Sequence, residues 1–365
     1  MSVSRLRSIG AIALTGALAL SACATENPTS PSGSTGGATG ASAGCFSGDL
    51  KAEGSTAQKN AIADAITSFQ DKCADATIDY AATGSGAGIK QFIAKQVDFA
   101  GSDSSLKPAE AADAKNTCGA DAWNLPMVAG PIAIAYNVKG VDKLVLNGEV
   151  AAKIFSGQIT TWNDPAIAAL NKGVTLPATP IKVYFRSDES GTTENFTKYL
   201  KAAAPSAWTA EPGKKWTGKG EGKEKSAGVA TAVKGQDGGI SYVELSYAQQ
   251  NQLAMAAIDT GSGPVELTSE SAGKTIATAK QTGQGNDLAL KIDYGTKEAG
   301  AYPIVLVTYE IVCSKYADAE KGKQVKAFLK HFASSDVQKS LESKGYAPLP
   351  AEVQTKVEAA VDAIS

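Results

Sequence analysis

Histidine is almost absent from this sequence, since His331 is the only one among 365 residues. Catalytic triads and Cys–His pairs need a histidine base, and zinc sites are built mostly from histidine and closely spaced cysteine ligands. None of the five cysteines forms a Cys-x-x-Cys pair. The sequence therefore disfavours nucleophilic enzymes of these kinds and a metal centre. The Lys-rich helical pattern around His331 predicts a surface helix residue.

The chain also has little net charge. Its formal net charge is −2, and loss of Arg5 and Arg7 with an N-terminal signal would make it −4. Proteins that bind nucleic acid usually carry a basic surface, so we expect no such partner. An anionic ligand would have to be attracted by local groups rather than by the field of the whole protein.

The apolar run at residues 9–20 is too short to span a bilayer as a stable helix and, with basic residues before it, predicts an export signal. It leads into Leu-Ser-Ala-Cys at residues 20–23, which resembles the bacterial lipobox, whose cysteine is diacylated and becomes the mature N-terminus. We therefore expect residues 1–22 to be a lipoprotein signal peptide and Cys23 to anchor the chain on the extracytoplasmic face of the cell membrane. Residues 24–44 are almost entirely small and polar and predict a flexible tether. A secreted protein with an unmodified Cys23 is the alternative.

If Cys23 carries lipid, four cysteines remain, namely Cys45, Cys73, Cys118 and Cys313. An even number of cysteines in an oxidising compartment predicts disulfide bonds. Three pairings can be drawn. We favour Cys45 with Cys73, because they flank the first predicted helix, and Cys118 with Cys313, because they precede and follow similar apolar strands.

The sequence is best understood from residues 186–192, Arg-Ser-Asp-Glu-Ser-Gly-Thr, which lie between a predicted strand and a predicted helix. The first backbone N–H groups of a helix lack partners and carry partial positive charge, so such a corner can hold an anion. Arg186 adds a planar fork of donors, and Ser190 and Thr192 add hydroxyls. Gly191 lets a ligand approach the backbone closely. An ordinary capped helix is the alternative interpretation.

The same kind of corner occurs twice more, at residues 54–58 and 83–88. Glycine-rich turns also begin nucleotide sites, but neither segment fits the dinucleotide or P-loop spacing cleanly, so a nucleotide is disfavoured. A further predicted strand at residues 97–103 ends in Asp103, which alone would be a cap or turn residue.

Two apolar, β-branched runs at residues 131–136 and 303–309 predict buried strands, and strands and helices alternate between them. This pattern predicts an α/β architecture in two lobes. The predicted lobes are residues 45–135 plus 304–365 and residues 136–303. Ligands of open α/β sheets bind beyond the carboxyl ends of strands, so the corners and Asp103 should meet in the cleft between lobes. The Gly- and Lys-rich segment 212–225 predicts an exposed loop.

Four of these segments, in this order, resemble the phosphate-binding protein of the bacterial high-affinity phosphate ABC transporter, the Pst type. The matching segments are residues 54–56, 83–91, 97–103 and 186–192. Residues 148–165 are close to the family's pattern for its second lobe, and residues 239–244 are also similar. The resemblance runs from about residue 49 to the C-terminus and departs at Ala57, where the family has a larger apolar residue.

The resemblance implies a type II periplasmic-binding-protein fold that closes over one dehydrated phosphate between its lobes, with no enzymatic reaction, cofactor or metal. The implied phosphate donors are Thr56 (hydroxyl and backbone N–H), Ala57 (backbone N–H), Ser85, Arg186, Ser190, Gly191 and Thr192. Asp103 would accept a hydrogen bond from the proton of phosphate, and Asp188 would orient the arginine. Fully ionised sulfate lacks that proton, so Asp103 would reject it. We expect a monomer whose partners are the permease and ATPase subunits of a phosphate ABC transporter.

Other classes remain open. A hydrolase or phosphatase has a weak Ser-x-x-Lys hint at Ser271 and Lys274. An adhesin or structural lipoprotein would bind no small ligand. Within the binding class, arsenate is the rival of phosphate, because arsenate can also carry a proton towards Asp103.

Overall fold

The computed structural model describes residues 44–365. The predicted signal peptide, Cys23 and nearly all of the predicted tether lie outside the described residues. Among residues 44–365, no helix is both long enough and apolar enough to cross a membrane.

Short strands and helices alternate through most of the described chain. The strands are β1 (Gly48–Gly54), β2 (Ala76–Ala82), β3 (Phe99–Ser102), β4 (Ala122–Asn137), β5 (Val145–Asn147), β6 (Lys182–Arg186), β7 (Glu221–Lys223), β8 (Gly239–Glu244), β9 (Ala254–Met255), β10 (Ala257–Asp259), β11 (Pro264–Val265), β12 (Lys280–Gln281), β13 (Leu290–Lys291) and β14 (Val305–Cys313). The helices are α1 (Lys59–Gln70), α2 (Ser85–Ile93), α3 (Pro108–Cys118), α4 (Gly148–Phe155), α5 (Pro165–Leu170), α6 (Gly191–Ala203), α7 (Lys225–Gly235), α8 (Leu245–Gln250), α9 (Ser269–Ala277), α10 (Ala319–Ala333), α11 (Ser335–Glu342) and α12 (Ala351–Asp362).

The main sheet has the strand order β2-β1-β3-β14-β4-β8-β6-β7, with β9 added beside β4. The β1, β2 and β3 strands are parallel, and so are β6, β7 and β8. The antiparallel pairs of β14 with β3, β14 with β4, and β4 with β8 join these two parallel groups. The carboxyl ends of neighbouring parallel strands lie at one edge of a sheet, so β1, β2 and β3 deliver their following loops to the same place.

Two large hydrophobic cores lie along this sheet, and β4 contributes to both. Its first half adds Leu125 and Met127 to a core formed mainly with α1, α10 and α12. Its second half adds Ile134 and Tyr136 to a core formed mainly with α4, α6 and β8. A strand that is buried on both faces is expected to be continuously apolar, which explains why the run at residues 131–136 was recognisable from sequence.

Two disulfide bonds join Cys45 to Cys73 and Cys118 to Cys313, the pairing that the sequence favoured. The Cα atoms of each pair are 5.4 Å apart, within the usual range for a disulfide. The second bond ties the end of α3 to the end of β14 across 195 residues of sequence.

Two expectations about surface residues hold only in part. Segment 212–225 is not a fully exposed loop, because Lys214 is buried and the ring of Trp216 stacks on Phe185 at 5.7 Å between centroids. His331 is half-buried, with its Nε2 atom 2.7 Å from the hydroxyl of Ser68. Burial lowers the pKa of His331 below its ordinary value, and the charge of Lys72 adds to this effect. In both cases an amphipathic side chain found partners that lie far away in sequence.

Candidate functional site

The structure forms all three corners that the sequence predicted. Residues 55–58 connect β1 to α1, residues 83–84 connect β2 to α2, and residues 187–190 connect β6 to α6. Asp103 directly follows β3. Hydrogen bonds between these segments, described below, bring them together at the carboxyl ends of their strands.

The carboxylate of Asp103 is the centre of one side of the site and is only 3% exposed. Its Oδ1 atom accepts hydrogen bonds from the hydroxyls of Ser55 and Thr308, the latter at 2.8 Å. Its Oδ2 atom accepts a longer bond, 3.4 Å, from the hydroxyl of Thr192. The backbone N–H of Asp103 donates to Ser85 Oγ at 3.1 Å. Residues from all three corners therefore contact or surround one buried acid.

Burial raises the pKa of Asp103 above its ordinary value. The hydrogen bonds from Ser55 and Thr308 and the positive charge of Arg186 oppose that shift. A buried carboxylate needs hydrogen bonds in place of water, and hydroxyl groups supply them here without adding positive charge.

Arg186 is the centre of the other side and is the only arginine between residues 8 and 365. Its side chain is 2% exposed, and its Nε and Nη2 atoms donate to the two carboxylate oxygens of Asp188. Its Nη1 atom donates to Ser226 Oγ at 3.2 Å. Burial alone would raise the pKa of Asp188, but its hydrogen bonds and ion pair with Arg186 hold that pKa below its ordinary value. Asp188 therefore fixes the plane of the guanidinium, as a bidentate partner does.

The start of α6 lies against Asp103. Ser190 is the N-cap residue, and its Oγ atom accepts a hydrogen bond from the backbone N–H of Thr193 at 3.2 Å. Gly191 lies so close to the second corner that a Cβ atom there would be 2.5 Å from Ser85 Oγ and 2.6 Å from the Cβ atom of Asp103. Only glycine permits this approach.

The first corner is held from several directions. The hydroxyl of Thr56 lies 2.7 Å from that of Ser226, so it links to the arginine side. The backbone N–H of Ala57 donates to Ser55 Oγ at 3.1 Å. The backbone carbonyls of Thr56 and Ala57 each accept a hydrogen bond of 2.9 Å, from the hydroxyls of Tyr247 and Tyr346 respectively.

Sequence reasoning did not single out Ser55, Ser226 or Thr308 as site residues, although each contacts a predicted one. Ser55 lies within the first motif and could have been noticed as a third hydroxyl there. Ser226 is the second residue of α7 and follows the segment predicted to be an exposed loop. Thr308 is a single polar residue in an apolar strand, and a buried hydroxyl in a strand must find a partner.

Lys214 forms an ion-pair bridge at the edge of the site. Its Nζ atom is 3.3 Å from Glu110 of α3 and 3.8 Å from Glu194 of α6, and its side chain is only 8% exposed. Burial would raise the pKa of Glu194, but Lys198 and Lys214 hold that pKa below its ordinary value. The backbone carbonyl of Lys214 also accepts a hydrogen bond of 2.9 Å from the N–H of Ser190. Lys214 therefore connects the site to two helices.

The residues that hinted at a hydrolase have structural roles. Ser271 forms a capping box with Thr268 at the start of α9. Lys274 lies 3.7 Å from the carboxylate of Glu270 on the surface of the same helix. Within residues 44–365, no cluster of three or more His, Cys, Asp or Glu side chains is arranged to hold a metal ion. This serine and lysine therefore give no support to a catalytic site.

The arrangement as a whole suits a small oxyanion that carries one proton. Hydroxyl donors, helix N-termini and one fixed guanidinium can satisfy anion oxygens, and Asp103 can accept one hydrogen bond from the ligand. No histidine contacts these residues, because the only one, His331, pairs with Ser68.

Comparison with known proteins gives a consistent result. A family profile described as a PBP superfamily domain matches residues 27–336. The phosphate-binding protein PstS 3 of Mycobacterium tuberculosis is 47% identical over 371 residues, which cover 100% of both chains. The phosphate-binding protein PstS 2 of the same organism is 47% identical over 357 residues, or 96% of each chain.

Solved structures of phosphate-binding proteins share the fold of this chain. A high affinity periplasmic phosphate-binding protein (PfluDING) bound with phosphate superposes with a TM-score of 0.70 at 24% identity, over 86% of this chain and 93% of that one. A phosphate-binding protein from Stenotrophomonas maltophilia gives a TM-score of 0.69 at 22% identity, over 86% and 94%. The fold is therefore the mixed α/β periplasmic-binding-protein fold that the sequence predicted.

Proposed function

Because this chain belongs to the PBP superfamily and, within it, to the PstS family of phosphate-binding proteins, we propose that it binds inorganic phosphate outside the cytoplasm and delivers it to a phosphate ABC importer. It is a binding protein and not an enzyme. The observation that carries this proposal is Asp103, a buried carboxylate surrounded by hydroxyls beside a single fixed arginine.

The proposed ligand contacts are those that the resemblance implied. The donors are the hydroxyl and backbone N–H of Thr56, the backbone N–H of Ala57, Ser85, Arg186, Ser190, Gly191 and Thr192. Asp103 accepts the phosphate proton, and Asp188 orients the guanidinium. Their mutual contacts support this set, because many neutral donors and one cation can satisfy a buried dianion without a cluster of counter-charges.

We also propose that the ligand lies between two lobes of a type II arrangement, formed by residues 45–135 plus 304–365 and by residues 136–303. The two large hydrophobic cores support this division, since one is drawn mostly from the first set and the other mostly from the second. The proposed partners of the monomer are the membrane permease and ATPase subunits. Lipid on Cys23 would keep the protein at the outer face of the cell membrane.

A thermal melt of the purified, ligand-free protein tests the function. Stabilisation by a ligand grows with the logarithm of its concentration over its dissociation constant, so a tight ligand raises the melting temperature clearly. We expect a rise with micromolar phosphate and none with sulfate at the same concentration. No response to either anion would refute the proposal, and phosphatase activity in a colorimetric assay would favour the hydrolase alternative.

Membrane attachment has its own test. Replacing the acylated cysteine, Cys23→Ser, should release the protein from the membrane fraction into the soluble extracytoplasmic fraction without changing phosphate binding. Equal partition of the wild-type and variant proteins would contradict lipid anchoring at this residue.

A further inference from the structure

A second buried carboxyl group lies beneath the first corner of the site. Glu310, on β14, is 0% exposed, and neither of its carboxylate oxygens has a hydrogen-bond partner within residues 44–365. The side-chain oxygen of Gln58 is also buried and also lacks a partner there. An ionised carboxylate left without donors in a protein interior is very costly, so this arrangement needs an explanation.

The backbone brings these groups together. Glu310 pairs with Gly101 of the neighbouring strand β3, so its side chain lies on the side of the sheet to which a side chain at Gly101 would point. A Cβ atom at Gly101 would be 2.1 Å from Gln58 Nε2 and 2.5 Å from the hydroxyl of Tyr80. The missing side chain at Gly101 therefore leaves the space in which these polar groups pack.

Hydrogen bonds connect this cluster to the ligand site. Gln58 Nε2 donates to the hydroxyl of Tyr80 at 3.0 Å, and that hydroxyl donates to the backbone carbonyl of Ser55 at 2.7 Å. Ser55 in turn donates its own hydroxyl to Asp103. Gln58 is therefore linked to Asp103 through Tyr80 and Ser55, and Glu310 lies near the Gln58 end of this chain without a hydrogen bond to it.

We propose that Glu310 is a positioning residue that works in its protonated form, donating its hydroxyl to the side-chain oxygen of Gln58, and that loss of this proton weakens phosphate binding. A protonated carboxyl group gives Gln58 the donor that it lacks and removes an unpaired charge from the core. It also keeps a second negative charge away from an anion site. The inference rests on the proposed function.

The electrostatic surroundings agree with this assignment. Burial raises the pKa of Glu310 to about 8. The nearby amide group of Gln58 opposes that shift, although it makes no hydrogen bond of normal geometry to the carboxylate, and the charge of Asp103 adds to the shift. The titratable groups that face Glu310 are Tyr80 on β2 and Asp103 after β3, and burial raises the pKa of Tyr80 well above its ordinary value. Tyr80 therefore stays neutral while Glu310 loses its proton between neutral and alkaline pH.

The test is the dissociation constant for inorganic phosphate, measured by calorimetry at pH 7.0 and pH 9.5 on the wild-type protein and on Glu310→Gln. A glutamine cannot ionise and can still donate to Gln58. One added negative charge near the anion should weaken binding by about tenfold at the higher pH in the wild-type protein. In Glu310→Gln most of this weakening should be absent, and the contribution from titration of phosphate itself cancels because it is the same in both proteins.

Glu244→Gln is the matched control. Glu244 is equally buried and burial also raises its pKa to about 8, but its carboxylate accepts hydrogen bonds from the backbone N–H and hydroxyl of Ser246. Ionisation of Glu244 also adds a negative charge that Asp103 senses, but it breaks no contact with Gln58, so Glu244→Gln shows how much of the pH dependence comes from charge alone and should retain most of it. The inference is overturned if Glu310→Gln loses affinity in parallel with the wild-type protein, or if Glu244→Gln alone removes the pH dependence. A wild-type protein that binds no phosphate at pH 7.0 would refute the proposed function as well.

A measurement without ligand separates positioning from mere packing. Because the pKa of Glu310 is higher in the folded than in the unfolded protein, its contribution to stability is complete at low pH and is lost as the pH rises towards 8. The melting temperature of Glu310→Gln should therefore decline less with pH than that of the wild-type protein. Glu310→Met, which cannot donate, should melt at a lower temperature than Glu310→Gln at every pH. Equal melting of the two variants would contradict the hydrogen bond to Gln58.

Discussion

The two sides of the site balance their charges differently. The arginine side is Arg186 with Asp188, and the acid side is Asp103 with its hydroxyl donors. On one side the guanidinium of Arg186 is largely matched by its own counter-ion, Asp188. On the other side Asp103 is surrounded by hydroxyl groups, with no cation in hydrogen-bond contact among the residues that the structure describes. The phosphate that we propose to bind between them would gain part of its binding from one fixed guanidinium and much of the rest from neutral donors. The comparison predicts that the arginine side sets affinity and the acid side sets selectivity.

The largest effect on phosphate affinity should come from Arg186→Ala. It removes the fork and leaves the carboxylate of Asp188 without its cation beside the proposed phosphate position. Truncating one member of a buried, hydrogen-bonded charge pair costs roughly 2–5 kcal/mol, so phosphate affinity measured by calorimetry should fall at least roughly 30-fold. Arg186→Lys is the control, because it keeps the charge but loses the bidentate geometry. Its phosphate affinity should lie between those of the wild-type protein and Arg186→Ala. An affinity of Arg186→Ala within about twofold of wild type would refute the role of this side.

The next effect should be a loss of selectivity in Asp103→Asn. An amide can donate to a fully ionised oxyanion, whereas the carboxylate repels it, and rejection through a buried unpaired group can reach roughly 10⁴-fold. The ratio of sulfate to phosphate dissociation constants, obtained by competition, should therefore fall by roughly 100-fold or more.

Acidification gives an independent check on the same residue. The pKa of Asp103 is raised by burial, so lowering the pH protonates this group before an exposed aspartate and should let the wild-type protein begin to bind sulfate. Asp103→Asn should show no such change with pH. Unchanged phosphate-over-sulfate discrimination in the variant would show that selectivity does not depend on the charge of Asp103.

The corners were predictable from sequence because their signals are local. Each corner combines three signals within about twenty residues. A strand ends, for example at Gly54 or Ala82, then small and hydroxyl residues follow, and then apolar residues recur at helical spacing. The buried run at residues 131–136 was equally clear, although the strand itself begins at Ala122. Continuous burial gives a strong apolar signal, but it does not mark where a strand starts.

The missed residues depend on distant partners. Thr308 is 205 residues from Asp103 in sequence, and only the pairing of β14 with β3 brings them together. The burial of Lys214 depends on Glu110, which is 104 residues away. A lysine in a glycine-rich segment has the same local pattern whether it is solvated or buried, so sequence alone favoured the commoner, exposed state.

Lys214→Met tests whether a second cation near the arginine side affects phosphate binding. The substitution removes the ammonium group that bridges Glu110 and Glu194, and it leaves these two carboxylates without that cation. We expect phosphate to dissociate several-fold to about tenfold faster in stopped-flow measurements, because the ion-pair bridge between α3 and α6 beside the proposed site is lost. Lys215→Met is the matched control, since its side chain is 80% exposed and its pair with Glu189 should contribute little. Equal release rates in the two variants would limit the role of Lys214 to packing.

The smallest effect should come from Thr308→Val on the acid side. The substitution removes one of three hydroxyl donors to Asp103 while nearly preserving shape, and a hydrogen bond to a charged acceptor contributes roughly 1.5–3 kcal/mol. The hydroxyls of Ser55 and Thr192 still donate to the carboxylate, so we expect phosphate affinity to fall only several-fold. The decisive measurement is a double-mutant cycle with Asp103→Asn. If Thr308 acts through the carboxylate, its substitution should have much less effect in the Asp103→Asn background, whereas equal effects in both backgrounds would mean that Thr308 acts on the ligand directly.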